Sequence, residues 1–303
     1  MSAKTKKPDL SIIILNYNAA PFLPQLFDSI KKQRGLTLQT IMVDNKSTDN
    51  SVTLVKQNYP WVELVQRQTS EGFSAGNNAG LPMAKADTIL FLNPDMRLPD
   101  PLALKKCYQK YYSDPRMGIL TCRINLVVNG QIDETCHRGF PTPWAAFTYF
   151  TGLARLFPKS KLFAQYLQTY KNYQTEHEVD AVGGMFMLIS KKVGDKVGWW
   201  DEDYPLYGED IDFCYRVKQK GYKIYYWPEV EVEHYKGAST GRSKHSKKVT
   251  TANKETVRRV KGWSVQAMEI FYRKHYQSRY PWLVNQLVFL GLRLIKFKRV
   301  KLA

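Results

Sequence analysis

The stretch LSIIILNYN, residues 10–18, decides the fold class of this chain. Its first part is a short apolar run rich in isoleucine, which is the pattern of a strand buried in a parallel sheet. The polar turn at residues 16–18 ends that run. Apolar residues then recur at helical spacing from Phe22 to Ile30, so the stretch opens a strand–helix unit.

The same unit repeats through the first third of the chain. Strand patterns cover residues 40–43, 62–65 and 88–92. Helices are predicted from the polar cap at 47–50 to about Asn58, and from about Ser74 to Ala84. Strands that alternate with helices predict an α/β fold built on a mostly parallel, doubly wound sheet.

The rest of the chain is less regular. Further predicted elements are strands over 117–123, 179–190, 222–227 and 230–234, a hairpin over 126–132 and a helix over 210–220. The segment 142–173 is dense in aromatic residues and is typical of an inserted helix pair or a lid over an acceptor. We therefore expect a catalytic domain over 9–240 that includes this insert, followed by a basic amphipathic helical tail over 241–303.

The charge of the chain is strongly positive, at +18 over 303 residues. Between Lys236 and Ala303 there are 17 Lys and Arg residues but only 2 acidic residues, so most of the excess lies near the C-terminus. Such a segment requires an anionic partner: nucleic acid, an anionic membrane surface or a phosphorylated substrate. The basic residues alternate with apolar runs rather than forming a nucleic-acid motif, so we expect no nucleic acid partner.

The cysteines and the first residues indicate a compartment. The four cysteines form no Cys-x-x-Cys pair, and residues 1–8 are polar and basic. Neither feature is typical of a secreted protein, so we expect a reducing, cytoplasmic location. No segment reaches the roughly 18–20 apolar residues that span a bilayer.

Polar residues collect where the predicted strands end, and ligands of open α/β sheets bind beyond that edge. These residues are Asn16, Asn18, Asp44, Asn45, Asn77 and Asn93. Asp44 could accept a hydrogen bond from the N3–H of a pyrimidine base, or it could cap the following helix. Ordinary turn chemistry is the alternative for the whole group, because Asn and Asp favour loops.

Two further residues could hold a metal ion. Asp95 follows a rigid Asn93-Pro94 turn, and His234 follows a predicted strand. A carboxylate, an imidazole and two phosphate oxygens would suit Mg²⁺ or Mn²⁺. An ordinary turn aspartate and a structural histidine remain the alternatives.

The segment Tyr207–Arg216 is the strongest local signal. Three acidic residues open a helix there, where the helix dipole favours negative charge, so capping is one interpretation. Asp212 suits that structural role. Glu209 or Asp210 could instead serve as a general base for a sugar hydroxyl.

Together these segments resemble glycosyltransferase family 2, and within it the bacterial rhamnosyltransferase-like branch. The matching segments stand in the family's order at residues 12–18, 43–49, 72–78, 91–95, 183–186 and 207–216. The resemblance covers residues 10 to about 240. Two departures stand out: Asn93 replaces the first acid of the Asp-x-Asp signature, and Ser70 stands where the family often has Asn.

The resemblance implies a GT-A fold and a role for each matching residue. Asp44 is similar to the base-binding aspartate, Asp95 and His234 to the ligands of Mn²⁺ or Mg²⁺, and Asp210 to the general base. On the donor side it implies Asn16, Asn18, Asn45, Gly72, Asn77 and Asn93, and on the acceptor side Gly184 and Glu209. It implies inverting transfer from a nucleotide-diphospho-sugar, with dTDP-L-rhamnose as the best candidate, to a glycan or polyprenyl-diphosphate-linked acceptor in bacterial cell-surface polysaccharide synthesis.

Three other functions are alternatives for this sequence. The basic tail alone would suit a nucleic-acid-binding protein. A nucleotidyltransferase would share the fold and the metal, but the loop Asn16-Tyr17-Asn18 lacks the glycines and cations that a triphosphate needs. An inactive relative is disfavoured because Asp95, Asp210 and His234 are all present.

The last helical stretch is amphipathic. Its apolar face carries Leu283, Leu287, Leu290, Leu294 and Phe297, and it is flanked by Trp282 and by basic residues up to Lys301. This composition is typical of a helix lying in a membrane interface, so we expect peripheral attachment to the inner face of the plasma membrane. The alternative is packing on the catalytic domain or on a second subunit, which is strongest for residues 262–276.

Overall fold

The computed structural model describes residues 7–236 and 254–300. The first part of the predicted tail, 241–253, lies outside the described residues, as do 301–303. The strands are β1 Leu10–Asn16, β2 Leu38–Asp44, β3 Glu63–Gln66, β4 Thr88–Leu92, β5 Met96–Arg97, β6 Met117–Leu126, β7 His137–Arg138, β8 His177–Glu178, β9 Ala181–Val182, β10 Phe186–Ser190 and β11 Lys223–His234. The α-helices are α1 Leu23–Lys31, α2 Ser51–Asn58, α3 Gly72–Gly80, α4 Ala103–Tyr111, α5 Pro143–Thr151, α6 Leu153–Leu156, α7 Lys191–Val197, α8 Glu209–Gln219, α9 Lys254–His275 and α10 Trp282–Val300.

A mixed sheet of nine strands forms the centre of the fold, in the order β3-β2-β1-β4-β10-β6-β11-β5, with β8 added against β11. The first four strands are parallel, as predicted. β10 then runs antiparallel to both β4 and β6. Because of this reversal, β10 begins at the edge where β1, β2 and β4 end, and that edge gathers loops from both halves of the chain.

Three local features differ from the predicted elements. The strand predicted over 179–190 is broken at Gly183-Gly184 into β9 and β10. The hairpin over 126–132 is reduced to a single bridge between Asn125 and Ile132. Two short helices, α4 and α7, were not predicted. The buried residues of α4 recur at helical spacing, so this helix was detectable in the sequence. Helix α7 has only seven residues and is bounded by the Ser190 cap and by Gly198 at φ 88°.

The two C-terminal helices differ in how they pack. α9 buries Ala267, Phe271 and Tyr272 against the body, and the ring of Phe271 lies 5.6 Å from that of Tyr215 on α8. The alternative stated for residues 262–276 is therefore confirmed: that apolar face packs on the catalytic domain. α10 packs on α9 but leaves large apolar side chains exposed, namely Trp282, Leu283, Leu287, Leu290, Leu294 and Phe297.

No helix within residues 7–236 and 254–300 is both long and apolar enough to cross a membrane.

Candidate active site

A cavity of about 1420 Å³ opens at the edge of the sheet where β4 ends and β10 begins. The predicted site residues that line it are Asn45, Gly72, Asn93, Asp95, Gly184, Glu209, Asp210 and His234. They come from segments nearly 200 residues apart, and the reversal of β10 is what brings the two groups together. The cavity continues outward between α5, α9 and α10, where its walls are apolar.

Asp95 and His234 lie side by side in the cavity wall. β5 pairs antiparallel with β11, with Met96 opposite His234, and this register places the two side chains together. His234 Nε2 lies 3.3 Å from Asp95 Oδ1, and both residues are buried. Two ligands held at right angles on a metal at about 2.1 Å would be about 3 Å apart, so the pair fits an octahedral Mg²⁺ or Mn²⁺.

A two-residue shell leaves most metal positions to other ligands. Within the described ranges, no three His, Cys, Asp or Glu side chains converge on a common metal position. A hard divalent cation commonly keeps waters and binds substrate phosphates beside one or two protein groups. Asp95 and His234 therefore suit a metal ion whose remaining ligands come from a diphosphate and water, rather than a structural metal site closed by protein ligands.

Asp133 is a buried residue behind His234 that the sequence patterns did not single out. His234 Nδ1 donates to Asp133 Oδ2 over 3.1 Å, and Lys236 Nζ donates to Asp133 Oδ1 over 2.5 Å. Burial would raise the pKa of Asp133, but the His234 hydrogen bond and the Lys236 charge hold it below its usual range. Metal-binding histidines characteristically donate their second N–H to such a carboxylate, so Asp133 orients Nε2 toward the cavity.

The charge state of His234 follows from these neighbours. Burial would lower its pKa, but the charge of Asp95 and the hydrogen bonds that the imidazole donates to both carboxylates raise the pKa to about 9. These neighbours favour a protonated imidazole between the two carboxylates. A metal ion at Nε2 would replace that proton, since a coordinating imidazole must be neutral.

The ends of β1 and β2 are tied by a polar network. Asn16 pairs in register with Asp44, and Asn16 Nδ2 donates to Asp44 Oδ1 over 2.8 Å. The other oxygen of Asp44 accepts from Ser47 N over 3.0 Å. Asn18, at φ 52°, accepts from Thr48 N over 2.8 Å. This network holds Asp44 in one orientation, although Asp44 and both asparagines lie beside the cavity rather than in its lining.

The remaining residues that the sequence predicts on the donor side lie in and around the loop before α3. Arg67 donates to Asn45 Oδ1 over 3.0 Å and also pairs with Glu71. Gly72 has φ +92°, and a Cβ there would lie 2.5 Å from Pro205 O, so only glycine allows this approach. Asn77 is buried on α3, where its side chain donates to Phe73 O over 3.0 Å outside the cavity lining. Its predicted donor contact stays a prediction.

The acidic start of α8 faces the cavity from the opposite side. Tyr207 and Gly208 both have positive φ, and this sharp turn presents Glu209 and Asp210 to the cavity. Burial and then the charge of Asp210 raise the pKa of Glu209 to about 8. Asp210 Oδ2 accepts from Arg138, a residue of β7 that also lines the cavity and that sequence reasoning missed.

Asp212 has a structural role, but as the partner of Arg216 and His275 rather than as a helix cap. Its buried carboxylate accepts from Arg216 Nε over 2.7 Å and contacts His275 Nε2 at 2.6 Å. Burial would raise the pKa of Asp212, but these two partners hold it below its usual range. The contact with His275 joins α8 to α9, so Asp212 helps to hold α9 beside the cavity.

A parallel α/β half with Asp44 and Asp95 at its strand ends, closed by a second half that carries Asp210, defines a nucleotide-sugar transferase of the GT-A class. The chain belongs to glycosyl transferase family 2, whose family model matches residues 11–194. It is a glycosyltransferase, as the sequence predicted.

Similar proteins agree with this assignment. The chain is 26% identical over 230 residues to the low-salt glycan biosynthesis hexosyltransferase Agl10 of Haloferax volcanii. The match covers 73% of this chain and 65% of Agl10, so it spans slightly less than two thirds of that relative's length. It is 25% identical over 245 residues to the N-acetylglucosaminyl-diphospho-decaprenol L-rhamnosyltransferase of Mycobacterium tuberculosis, covering 77% and 78%. The mannosyltransferase PcManGT of Pyrobaculum calidifontis, solved with GDP-Man and Mn²⁺, matches the fold with a TM-score of 0.55 at 16% identity, covering 98% and 83%.

Proposed function

We propose that this protein is a metal-dependent, inverting glycosyltransferase that moves L-rhamnose from dTDP-L-rhamnose to a lipid-linked glycan in the synthesis of a bacterial cell-surface polysaccharide. The observation that carries the reaction type is that Asp95, His234 and Asp210 line a single cavity. The Asp95–His234 pair, beside β5 and β11, suits the leaving diphosphate, and Asp210, on α8, suits the attacking hydroxyl.

The side chains divide the chemistry between them. A divalent cation, when bound, supplies positive charge to the leaving diphosphate. Asp95 and His234 would hold that cation, and Asp44, with Asn16 and Asn45 nearby, would position the nucleotide. Asp210 takes the proton of the acceptor hydroxyl, whose oxygen attacks the anomeric carbon from the face opposite the diphosphate. The bond to the diphosphate breaks, the nucleoside diphosphate leaves and the configuration inverts.

The donor assignment is supported by the rhamnosyltransferase of Mycobacterium tuberculosis, which the chain resembles over most of both proteins. GDP-mannose in the Pyrobaculum calidifontis structure shows that the same fold accepts other nucleotides and sugars. The experiment that tests the donor is therefore a screen of dTDP-, UDP- and GDP-sugars. It measures release of the nucleoside diphosphate, with N-acetylglucosaminyl-diphospho-prenol of short chain as the acceptor.

The screen also tests the metal. We expect turnover with Mn²⁺ or Mg²⁺ and none in excess chelator, because Asp95 and His234 form a pair of ligands that suits a divalent cation. Full activity in excess chelator would refute metal dependence. Release of a nucleoside diphosphate from a different donor only would refute the rhamnose assignment and leave glycosyl transfer intact.

A lipid-linked acceptor is supported by the outer part of the cavity. We call the space between α5 and the helices α9 and α10 the apolar chamber; its walls include Trp144, Phe147, Phe150, Phe271, Val288 and Ile295. The guanidinium of Arg299 lies 5.6 Å from the ring of Phe150 and connects α10 to α5 across it. A sugar and a nucleotide would not need such walls, whereas a prenyl chain attached to the acceptor would bury apolar surface there.

Attachment to a membrane is supported by the outer face of α10. Leu283, Leu290 and Phe297 are 52–65% exposed and do not line the cavity. Basic residues cluster at the end of the same helix, where anionic lipid would attract them at about 1 kcal/mol each. We propose that this face lies on the inner leaflet of the plasma membrane in the cytoplasm and that the chamber opens beside it.

The membrane proposal is tested by flotation with vesicles containing phosphatidylglycerol. The triple variant Leu283→Ser, Leu290→Ser, Phe297→Ser should remain in the soluble fraction at low salt, whereas the wild type floats. Exchange of the exposed Leu156 for Ser on α6 is the matched control. If the triple variant floats with the vesicles as the wild type does, the proposal is contradicted.

A further inference from the structure

Arg138 and Asp210 form an ion pair inside the cavity. Arg138 ends β7, which is held by pairing with β9, and its Nη2 donates to Asp210 Oδ2. Both side chains are only 14% exposed. The second oxygen of Asp210 accepts from Ile211 N over 2.8 Å. Both oxygens of the carboxylate therefore already accept hydrogen bonds.

A general base needs a free lone pair directed at the proton it removes. With a guanidinium on one oxygen and a backbone N–H on the other, two of the roughly four lone-pair sites of the carboxylate are filled, and an acceptor hydroxyl has to compete with Arg138 for Oδ2. Burial would lower the pKa of Arg138, but the charge of Asp210 and the hydroxyl of Tyr166 hold it above its usual range. Arg138 therefore stays charged, and its ion pair with Asp210 persists at any physiological pH.

Arg138 nevertheless retains capacity for a second anion. Its buried Nε has no hydrogen-bond partner among residues 7–236 and 254–300, and the side chain lines the cavity beside Gly183 and Gly184. The guanidinium fork matches two oxygens of a phosphate, and such pairs are bidentate. Exchange of a carboxylate for a phosphate leaves the buried cation paired, so it avoids the cost of an isolated charge.

We propose that Arg138 masks Asp210 in the absence of an acceptor, and that the phosphate of a phosphate-bearing acceptor draws Arg138 away and frees the carboxylate. This inference rests on the proposed role of Asp210 as the base. The acceptor is the source of the anion because Arg138 contacts the acceptor-activating residue, whereas the donor diphosphate belongs beside Asp95 and His234.

The consequence concerns water. Without the mask, a water oxygen would attack the anomeric carbon, its proton would pass to Asp210, and the bond to the diphosphate would break. The donor would then be hydrolysed to free sugar and nucleoside diphosphate. Masking the base until the acceptor is bound suppresses this loss, which is a form of acceptor-triggered assembly of the site.

The test measures release of dTDP from dTDP-L-rhamnose with Mg²⁺ and no acceptor, or from whichever donor the screen identifies. We expect Arg138→Gln to raise this hydrolysis about tenfold or more, within the range that a freed base contributes. Methyl phosphate should raise hydrolysis by the wild type several-fold and leave Arg138→Gln unchanged. Arg138→Lys, which keeps the charge, should hydrolyse as slowly as the wild type.

The matched control is Arg216→Gln, which breaks another arginine–aspartate pair of α8 that does not line the cavity. It should lower the melting temperature without raising hydrolysis. Equal or slower hydrolysis by folded Arg138→Gln would overturn the proposal. If Arg138→Gln does not fold, the wild type alone decides: hydrolysis that methyl phosphate does not raise would overturn the proposal.

Two further outcomes are separable. A tenfold loss of dTDP affinity in Arg138→Gln, measured by calorimetry, would assign the anion to the donor and overturn the acceptor trigger. A wild type that transfers no sugar to any acceptor would instead refute the proposed function itself.

Discussion

The proposed donor side and the proposed acceptor side of the cavity are built in different ways. The donor side comes from β1, β2, β4 and the loops after them, and its polar side chains hydrogen-bond one another, as Asn16 and Asp44 do. The acceptor side comes from α5, α8, α9 and α10 and is largely aromatic and aliphatic, with the Arg138–Asp210 pair at its inner end. A rigid polar frame suits a compact, charged nucleotide, whereas an apolar chamber suits a flexible chain.

The largest expected effect separates chemistry from donor binding. Asp210→Asn should lower transfer by about 10²-fold or more, because the acceptor loses its base, while dTDP affinity in calorimetry stays unchanged. Glu209→Gln is the comparison on the adjacent residue. If Asp210→Asn transfers normally and Glu209→Gln does not, the base has been assigned to the wrong carboxylate.

The next effect tests the donor side. Asp133→Asn should weaken Mn²⁺ binding in the presence of dTDP by about 10–100-fold, because His234 loses the carboxylate that orients it. Calorimetry measures the affinity directly, and excess Mn²⁺ should restore most of the turnover. An unchanged Mn²⁺ affinity, or a loss of activity that Mn²⁺ does not rescue, would show that Asp133 serves only the fold.

A smaller effect tests the apolar chamber. Gly291 on α10 lines the cavity, and a Cβ there would meet no atom within 4 Å, so Gly291→Phe places a large side chain at the chamber wall where its Cβ meets no neighbour. We expect KM for a long-chain prenyl acceptor to rise about tenfold, or about 1.4 kcal/mol, with KM for the donor unchanged. Gly262→Phe on α9 is the control, since that site is equally open but outside the cavity. Equal acceptor KM values for both variants would exclude a chain in the chamber.

The last effect is on stability rather than on activity, and it depends on pH. The pKa of Glu209 is raised to about 8 in the folded protein, above its value of 4.5 in an unfolded chain. Its contribution to stability is therefore complete below about pH 4.5 and is lost as the pH rises through about 8. Glu209→Gln lacks this loss, so its unfolding free energy relative to wild type should grow between pH 5 and pH 8, by a few kcal/mol at about 1.4 kcal/mol per pH unit. Urea denaturation at both pH values measures it, and a constant difference would contradict the assignment.

The comparison also explains which parts of the site were predictable. The donor-side residues follow short apolar strands, and the period of those strands is a local property of the sequence. The residues missed were Asp133 and Arg138, which stand in a turn and in the two-residue strand β7. No periodic pattern marks them, because their partners His234 and Asp210 lie 101 and 72 residues away.

The C-terminal helices also show that a local pattern does not predict distant contacts. Their amphipathic spacing was readable, but spacing alone does not say what an apolar face packs against. α9 packs on the body through Phe271 and Tyr272, whereas the outer face of α10 stays exposed. Both faces look alike in sequence, since burial depends on contacts that are distant along the chain.

By itself, the sequence determined the parallel α/β half, the acidic residues at its strand ends and the family, since each depends on local pattern and order. Only the tertiary structure decided that Asp95 meets His234, that Asp133 stands behind it, that Arg138 covers Asp210 and that α5, α9 and α10 enclose an apolar chamber. The physical reason is the reversal of β10 and the docking of α9. Both bring side chains from distant segments to one edge of the sheet, and no local pattern in the chain encodes such contacts.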